Sequence, residues 1–393
     1  MINFKKILLN LLFIPFYWFF SYIIPKKNNL IIFGSYFGRK FTGNPKYFYL
    51  YLLNKKDCKY NPVWITRSLK ILDLLKADSK PVAYLYSFFG MWQILRAKYL
   101  VIESAAQDIT GITFLLGNFN IINLWHGVGL KKLDFNIGPE NLFYKLLNFF
   151  WFRESKLYKV IISSSVEFEN AQRNFFKNNR IIVTGYPRND IFFLNKEDIS
   201  FKYKKEFERY EKVIAYLPTF RDSLDEMKPF SGSGLAKIND YLFKNNYLFV
   251  IKNHPLLANK FIFENYSNIV DLSNEIDDPQ ELLIFADILI TDYSSVVSDF
   301  CLMNRPVIFY PYDYENYTRN RELVHDYYKI LPGPFADNEN ILLQMIKDID
   351  SIFLDASYQK KYLDFKIFFN KFIDGDSSKR IYELIENLNN FIK

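Results

Sequence analysis

Residues 285–313, FADILITDYSSVVSDFCLMNRPVIFYPYD, decide the fold. Asp287 to Thr291 is a short apolar run with β-branched residues, the pattern of a parallel strand buried on both faces. Asp292-Tyr293-Ser294-Ser295 is a turn made of helix-capping residues. Val296 to Met303 has helical spacing, with Val296, Phe300 and Met303 on one face. Asn304-Arg305-Pro306 stops that helix, because proline cannot continue it. Val307 to Tyr310 is the next strand, closed by Pro311. The stretch predicts one βαβ unit with two adjacent serines at its strand-to-helix turn. The first N–H groups of a helix have no partner within the helix, and the helix dipole adds positive charge there. Such a turn suits phosphate, and it lies at the carboxyl end of a strand, where open α/β sheets bind ligands. An ordinary helix cap explains these four residues equally well, so the rest of the chain has to decide.

The chain has 393 residues, 24% charged and 50% apolar, which gives ample core for two domains of ordinary size. The net charge of +7 suits a phosphate-bearing substrate or an anionic membrane surface. It is too dispersed to argue for nucleic acid, and no motif for RNA or DNA is present. Cys58 and Cys301 are far apart and form neither a disulfide framework nor a metal cluster.

Residues 7–24, ILLNLLFIPFYWFFSYII, form an apolar run between Lys5-Lys6 and Lys26-Lys27. Its length sits at the lower edge for crossing a bilayer. Asn10, Pro15, Tyr17, Trp18, Ser21 and Tyr22 give it interfacial character, so it is read as a monotopic segment on the cytoplasmic face. A buried core helix is the competing reading. Beyond it, strands alternate with helices: Leu30 to Phe33, Pro62 to Thr66, Pro81 to Tyr84, Tyr99 to Glu103, Asn120 to Leu124, Lys159 to Ser163 and Ile181 to Thr184 are the strands. A charged segment after residue 190 marks a domain boundary. A second α/β half comes next, with strands at Lys212 to Leu217, Leu248 to Lys252, Ile269 to Asp271 and in the opening βαβ unit. This alternation predicts parallel sheets with right-handed crossovers. Ser231-Gly232-Ser233-Gly234 follows no strand directly and is read as a flexible loop.

Five motifs sit directly after predicted strands: Trp125-His126-Gly127, GYPRND (185–190), PTFRD (218–222), KNHP (252–255) and TDYSS (291–295). Histidine is the natural general base near neutral pH. Two sheets with facing strand ends would gather His126, Arg188, Arg221, His254, Ser294 and Ser295 at one cleft. Each residue alone has a plain structural reading. Their convergence argues for a site.

These residues resemble the CDP-glycerol glycerophosphotransferase family, the teichoic acid primases and polymerases of bacteria. The likeness rests on NLWHGVGLKKL, VTGYPRND, YLPTFRD, KNHP and ADILITDYSSVVSDFCLMNRPVIFYPYD, and on the early GSYFGRKFTGNPKYFYLYL, together covering roughly residues 30–330. It implies a GT-B fold: two Rossmann-like domains facing across a cleft, preceded by the apolar membrane-associated helix. The expected divisions are 1–28 for that segment, 29–195 for an acceptor domain and 196–393 for a CDP-glycerol-binding domain, with the last helix packing on the first domain. The implied reaction is attack of an acceptor hydroxyl on the β-phosphorus of CDP-glycerol, with release of CMP, in teichoic acid or capsule-type polymer synthesis. By the same resemblance His126 and His254 are the catalytic candidates. Arg221, Ser294, Ser295, Asp292, Arg188, Lys252 and Asp299 are the substrate-binding candidates, Asp299 through a ribose hydroxyl. No metal and no cofactor are expected, since the Asp277-Asp278 pair precedes a proline and reads as a cap. The implied partners are CDP-glycerol, a lipid-linked (polyprenyl diphosphate) saccharide acceptor and the cytoplasmic face of the bacterial cell membrane. CDP-ribitol as donor, a GT-B nucleotide-sugar glycosyltransferase and a scaffold with a degenerate site stay open. The single GT-B unit resembles the primase branch of the family.

Overall fold

All strand pairings are parallel and fall into two sheets. The computed structural model describes residues 19–110, 117–127, 130, 145, 152–178, 180–219, 221, 229–253, 266–320 and 323–388. The first sheet holds β1 (Lys27–Phe33), β2 (Asn61–Thr66), β3 (Val82–Tyr84), β4 (Ala97–Ile102), β5 (Asn120–Asn123), β6 (Tyr158–Ser163) and β7 (Ile181–Val183). Their spatial order is β3-β2-β1-β4-β5-β6-β7. The second holds β8 (Lys212–Leu217), β9 (Tyr247–Ile251), β10 (Ile269–Asp271), β11 (Ile288–Thr291) and β12 (Val307–Phe309), ordered β10-β9-β8-β11-β12. Both sheets run 3-2-1-4-5 from their own first strand, the doubly wound order. In each, strand order reverses between the first and fourth strands: β1 and β4 in one, β8 and β11 in the other. That reversal opens a crevice at the carboxyl ends, so topology alone marks where ligands go.

The chain divides into two compact units. Unit 1 comprises Met1–His126, Leu133–Asp190 and Asp374–Lys393; unit 2 comprises Gly127–Lys132 and Ile191–Ile373. The chain thus leaves unit 1 immediately after His126. The last helix, Ser377–Glu386, belongs to unit 1. Its amino end meets the Asp190 carboxylate, which accepts from Ser377 N at 3.0 Å and Ser378 N at 2.8 Å. An acid there satisfies orphan N–H groups and complements the dipole.

The central strands are apolar toward their carboxyl ends, as strands covered on both faces are. Ile31, Ile32 and Phe33 of β1, and Ile288, Leu289 and Ile290 of β11, are fully buried. Each such side chain contributes roughly 1.5–3 kcal/mol of hydrophobic stabilisation. In unit 2 the core continues through Ile214, Phe249, Ile308, Leu342 and Ile346.

The structure corrects two sequence expectations. The glycines of Ser231–Gly234 form no flexible loop. Ser231 is the N-cap of the helix Gly232–Asn245, its hydroxyl accepting from Gly234 N at 3.0 Å. Glu339 completes the cap, accepting from Ser231 N at 2.7 Å and Ser231 Oγ at 2.6 Å. Sequence inspection missed it because the stabilising carboxylate lies 108 residues away. The helix expected over 296–303 is α-helical only over Val296–Phe300 and tightens to a 3-10 turn over Cys301–Met303. Among the described residues no helix is long and apolar enough to cross a membrane. Most of the apolar run 7–24 lies outside the described residues.

Candidate active site

In unit 1 the site grows from the tip of β5. Asn123 closes that strand and ties down the adjoining turn: its Oδ1 accepts from Trp125 N at 2.8 Å and its Nδ2 donates to the Ser104 carbonyl at 3.1 Å. Trp125 has φ +54, a conformation a bulky residue rarely adopts. Asn44 holds it there, donating to the carbonyls of Leu124 at 3.1 Å and Trp125 at 2.7 Å. The Asn44 Oδ1 accepts from Arg188 N at 3.1 Å, and Arg188 Nη1 donates to the His126 carbonyl. The His126 backbone is therefore gripped from three directions. Strain of this kind persists only where the surroundings over-determine it, and it clusters at functional sites.

The His126 Nδ1 lies 3.2 Å from the Ser104 hydroxyl, which leaves Nε2 as the ring's other face. Crowding of the ring by protein, then the nearby Arg188 guanidinium, push its pKa down to about 4. The residue is nonetheless exposed at its edge, and the water it meets there opposes part of that shift. The sign is the useful result: the imidazole is neutral at pH 7, the form that accepts a proton.

The loop beneath Ser104 is built around acids. Asp108 accepts backbone N–H bonds from Glu103 at 3.0 Å, Ser104 at 2.7 Å, Ala105 at 3.4 Å and Phe37 at 2.8 Å. Glu154 accepts from Ala106 N at 2.6 Å and from the Tyr158 hydroxyl at 2.8 Å. Burial pushes the Glu154 carboxyl up to about 7, against those two bonds. Glu103 accepts from the Ser35 hydroxyl at 2.6 Å. Its carboxylate also lies against the first residue of the helix Gly43–Asn54: a Cβ added to Gly43 would fall 1.8 Å from Glu103 Oε1.

In unit 2 the site grows from the tips of β8 and β11. Arg221 is buried between two carboxylates. Its Nε donates to Asp313 at 2.6 Å, and its Nη2 donates to Asp292 at 2.8 Å and Asp313 at 2.9 Å. Its Nη1 donates to the Thr219 carbonyl at 2.7 Å. Burial alone would lower its pKa, but Asp292 and Asp313 outweigh that and raise it. Asp292 Oδ1 in turn accepts from Thr219 N at 2.8 Å and Tyr293 N at 2.6 Å. The sequence marked Arg221 and Asp292 as substrate contacts. The structure adds that the two face each other, so the pair also braces the strand tips.

Ser294 and Ser295 are half-buried at the start of the helix Val296–Phe300. Ser294 Oγ makes one long contact, with Val296 N at 3.4 Å, and Ser295 gives no side-chain cap. Three buried groups nearby have no partner among the described residues: Thr219 Oγ1, Asn253 Nδ2 and Tyr312 Oη. They belong to the ends of β8 and β9 and the turn after β12. Buried polar groups are normally satisfied, so this edge of unit 2 suits a polar ligand.

Lys252 is buried at the end of β9. Asp299 is buried on the helix and accepts from Gln280 Nε2 at 3.0 Å. His254 lies outside the described residues. Among the described residues no group of three or more His, Cys, Asp or Glu side chains has the arrangement to hold a metal ion. Sequence reasoning missed Asn44, Ser104, Asn123 and Asp313. Asp313 closes the quoted stretch at a strand tip, as Asp292 does, and that was the available signal.

The sequence model described as CDP-glycerol:poly(glycerophosphate) glycerophosphotransferase matches residues 16–387. The chain belongs to this family. It is 30% identical over 384 residues to the teichoic acid poly(glycerol phosphate) polymerase of Bacillus spizizenii, covering 92% of this chain and 93% of that protein. It is 28% identical over 384 residues to the teichoic acid poly(ribitol-phosphate) polymerase of the same organism, of which it spans 57%. Among solved structures, a variant of the wall teichoic acid polymerase TagF soaked with CDPG superposes with a TM-score of 0.77 at 26% identity, covering 98% of each chain.

Proposed function

We propose that this family member transfers glycerol phosphate from CDP-glycerol to a hydroxyl of a lipid-linked saccharide or growing polyol-phosphate chain, releasing CMP, in teichoic acid synthesis. The family match over residues 16–387 carries this reading. The acceptor hydroxyl oxygen attacks the β-phosphorus, the bond from that phosphorus to the bridging oxygen breaks, and CMP leaves with the electron pair. His126 Nε2 takes the hydroxyl proton. The neutral ring and the engagement of Nδ1 by Ser104 support that assignment. Ser294 and Ser295, with the unsatisfied groups of Thr219, Asn253 and Tyr312, carry the diphosphate and its nucleoside in unit 2. His254 and Lys252 supply further donors. Arg221 and Asp292 hold this tip in shape, and Arg188 holds His126. Fixed donors aimed at developing charge are how such transfers are accelerated.

The membrane surface belongs to the same proposal. Phe88, Phe89 and Trp92 stand exposed on the helix Phe88–Arg96, and Tyr86 on the turn before it. Lys26, at the end of the apolar run, donates to the Leu95 carbonyl at 2.7 Å. The run therefore joins unit 1 beside the aromatic helix, among Lys26, Lys27, Arg96 and Lys98. Aromatic and basic side chains together match a bilayer interface.

The test is incubation of the protein with CDP-glycerol or CDP-ribitol and a lipid disaccharide analogue. CMP release with CDP-glycerol supports the reading. Release with CDP-ribitol alone would reassign the donor, and the poly(ribitol-phosphate) polymerase relative makes that outcome worth measuring.

A further inference from the structure

Unit 1 carries a second cationic feature that the transfer chemistry does not use. Arg67 follows the last residue of β2. Its Nη2 donates to the Gln107 carbonyl at 3.0 Å. Its Nε–H is buried and has no acceptor among the described residues. Burial, opposed in part by Tyr86 and Asp108 and reinforced by the nearby Arg39, lowers its pKa. Asp108 offsets that charge only in part, since its oxygens bond four backbone N–H groups and form no ion pair with Arg67 among the described residues. Arg39 is exposed and forms no ion pair among the described residues. A buried guanidinium with an unfilled N–H beside a like charge is costly for a purely structural residue.

The loop between them is held rigidly. Tyr36, Phe37 and Gly38 have φ of 47, 57 and 72, strained values for the two aromatic residues. Arg67 N donates to the Gly38 carbonyl at 2.7 Å, and Thr66 Oγ1 donates to the same oxygen at 3.0 Å. A Cβ on Gly38 would lie 3.3 Å from Arg67 Cγ, so glycine lets the arginine lie against the loop. Strain persists where the fold over-determines it, as at ligand clamps.

We infer that Arg39 and Arg67 form a phosphate subsite for the acceptor. The inference rests on the reading of this protein as a glycerophosphotransferase. The order β2-β1-β4-β5 sets the strand of Arg67 three spacings from the strand of His126, about 14 Å. In this reading the transferred phosphate is held by the serines of unit 2, and the phosphate held here is a second one. It is a phosphate already on the acceptor: the diphosphate of a lipid carrier or a phosphodiester of the growing chain. Both offer oxygens that suit a guanidinium fork.

The experiment is steady-state kinetics of the full-length protein with CDP-glycerol and three acceptors: a lipid-diphosphate saccharide analogue, a short glycerol phosphate oligomer and a phosphate-free glyceryl saccharide. Arg67→Gln and Arg39→Gln should raise KM for a phosphate-bearing acceptor about 10- to 100-fold, the worth of a charge-assisted hydrogen bond. KM for CDP-glycerol should hold, Arg67→Lys should recover part of the loss, and the penalty should vanish with the phosphate-free acceptor. Whichever phosphate-bearing acceptor suffers names the source. An unchanged KM for both, or a loss that persists without acceptor phosphate, overturns the subsite. Should Arg67→Gln fail to fold, the exposed Arg39 carries the test. No CMP from wild-type protein with any acceptor would sink the underlying reading instead. The subsite then stands or falls on calorimetric binding of the glycerol phosphate oligomer, and equal affinity in wild type and Arg39→Gln overturns it.

Discussion

The two units begin alike and end differently. In unit 1 the helix after β1 meets Glu103, which also binds the Ser35 hydroxyl. In unit 2 the helix after β8 meets Glu339, which also binds the Ser231 hydroxyl. In a dinucleotide-binding fold that first helix would face phosphate. Here a carboxylate of the chain itself lies against the glycine at each amino end, Gly43 and Gly234. The units part at their fourth strands. After β4, backbone N–H groups gather on Asp108, and the loop they shape supports Ser104 and a neutral His126. After β11, an arginine locked between two acids braces a turn whose serine hydroxyls face no strong partner among the described residues. The comparison teaches that a shared topology fixes where a site lies. The residues that follow the fourth and fifth strands decide its chemistry.

The sharpest way to break this contrast is at the base. His126→Ala should lower kcat/KM about 10²- to 10⁴-fold with little loss of stability, read by CMP release and thermal melting. The acid limb of the wild-type profile should lie below the usual histidine value of 6.5. A limb at or above that value would contradict a neutral base.

Arg221→Ala should act in the opposite manner. Removing one partner leaves Asp292 and Asp313 buried and unpaired, a loss of roughly 3–5 kcal/mol in stability. Chemical denaturation measures it, and Arg221→Lys should recover only part, because the fork is bidentate. A stable Arg221→Ala protein with a weakened affinity for CDP-glycerol would make Arg221 a substrate contact and not a brace.

The acids of unit 1 should make it the pH-sensitive partner. Glu154 titrates near 7 when folded, against 4.5 for the free side chain. The folded state then binds the proton more tightly, so this stability is complete below pH 4.5 and is lost as pH rises through 7. The difference is worth about 3 kcal/mol at most. Glu154→Gln should flatten that slope in denaturation curves, and an unaltered slope would place the titration elsewhere.

The smallest effect separates the two glycines. Gly43→Ala must both displace Glu103 and hold φ +70, which should cost roughly 1–3 kcal/mol. Gly234→Ala meets only Glu339, the end of a half-buried side chain, and should cost less by melting temperature. Equal losses would remove the distinction between these caps.

Much of the fold was legible in the chain. Short apolar runs located every described strand of both sheets, since parallel strands must be apolar on both faces. Pro306 and Asn304 stopped a helix where proline chemistry requires it. Partners across long separations were not legible. The sequence shows the type of Arg221 and not its partner Asp313, 92 residues away. The glycines at 232 and 234 looked loose because Glu339 was out of view. Nothing local distinguishes Asn44 or Asn123 from ordinary turn residues, although they hold the backbone around His126.

One measurement bears on the whole account: the mass of the acceptor after reaction with CDP-glycerol, tracked together with CMP. Wild-type protein should add glycerol phosphate to the acceptor in step with CMP release, and His126→Ala should do neither at a comparable rate. CMP appearing without a heavier acceptor, or a fully active His126→Ala protein, would contradict the transfer chemistry assigned here.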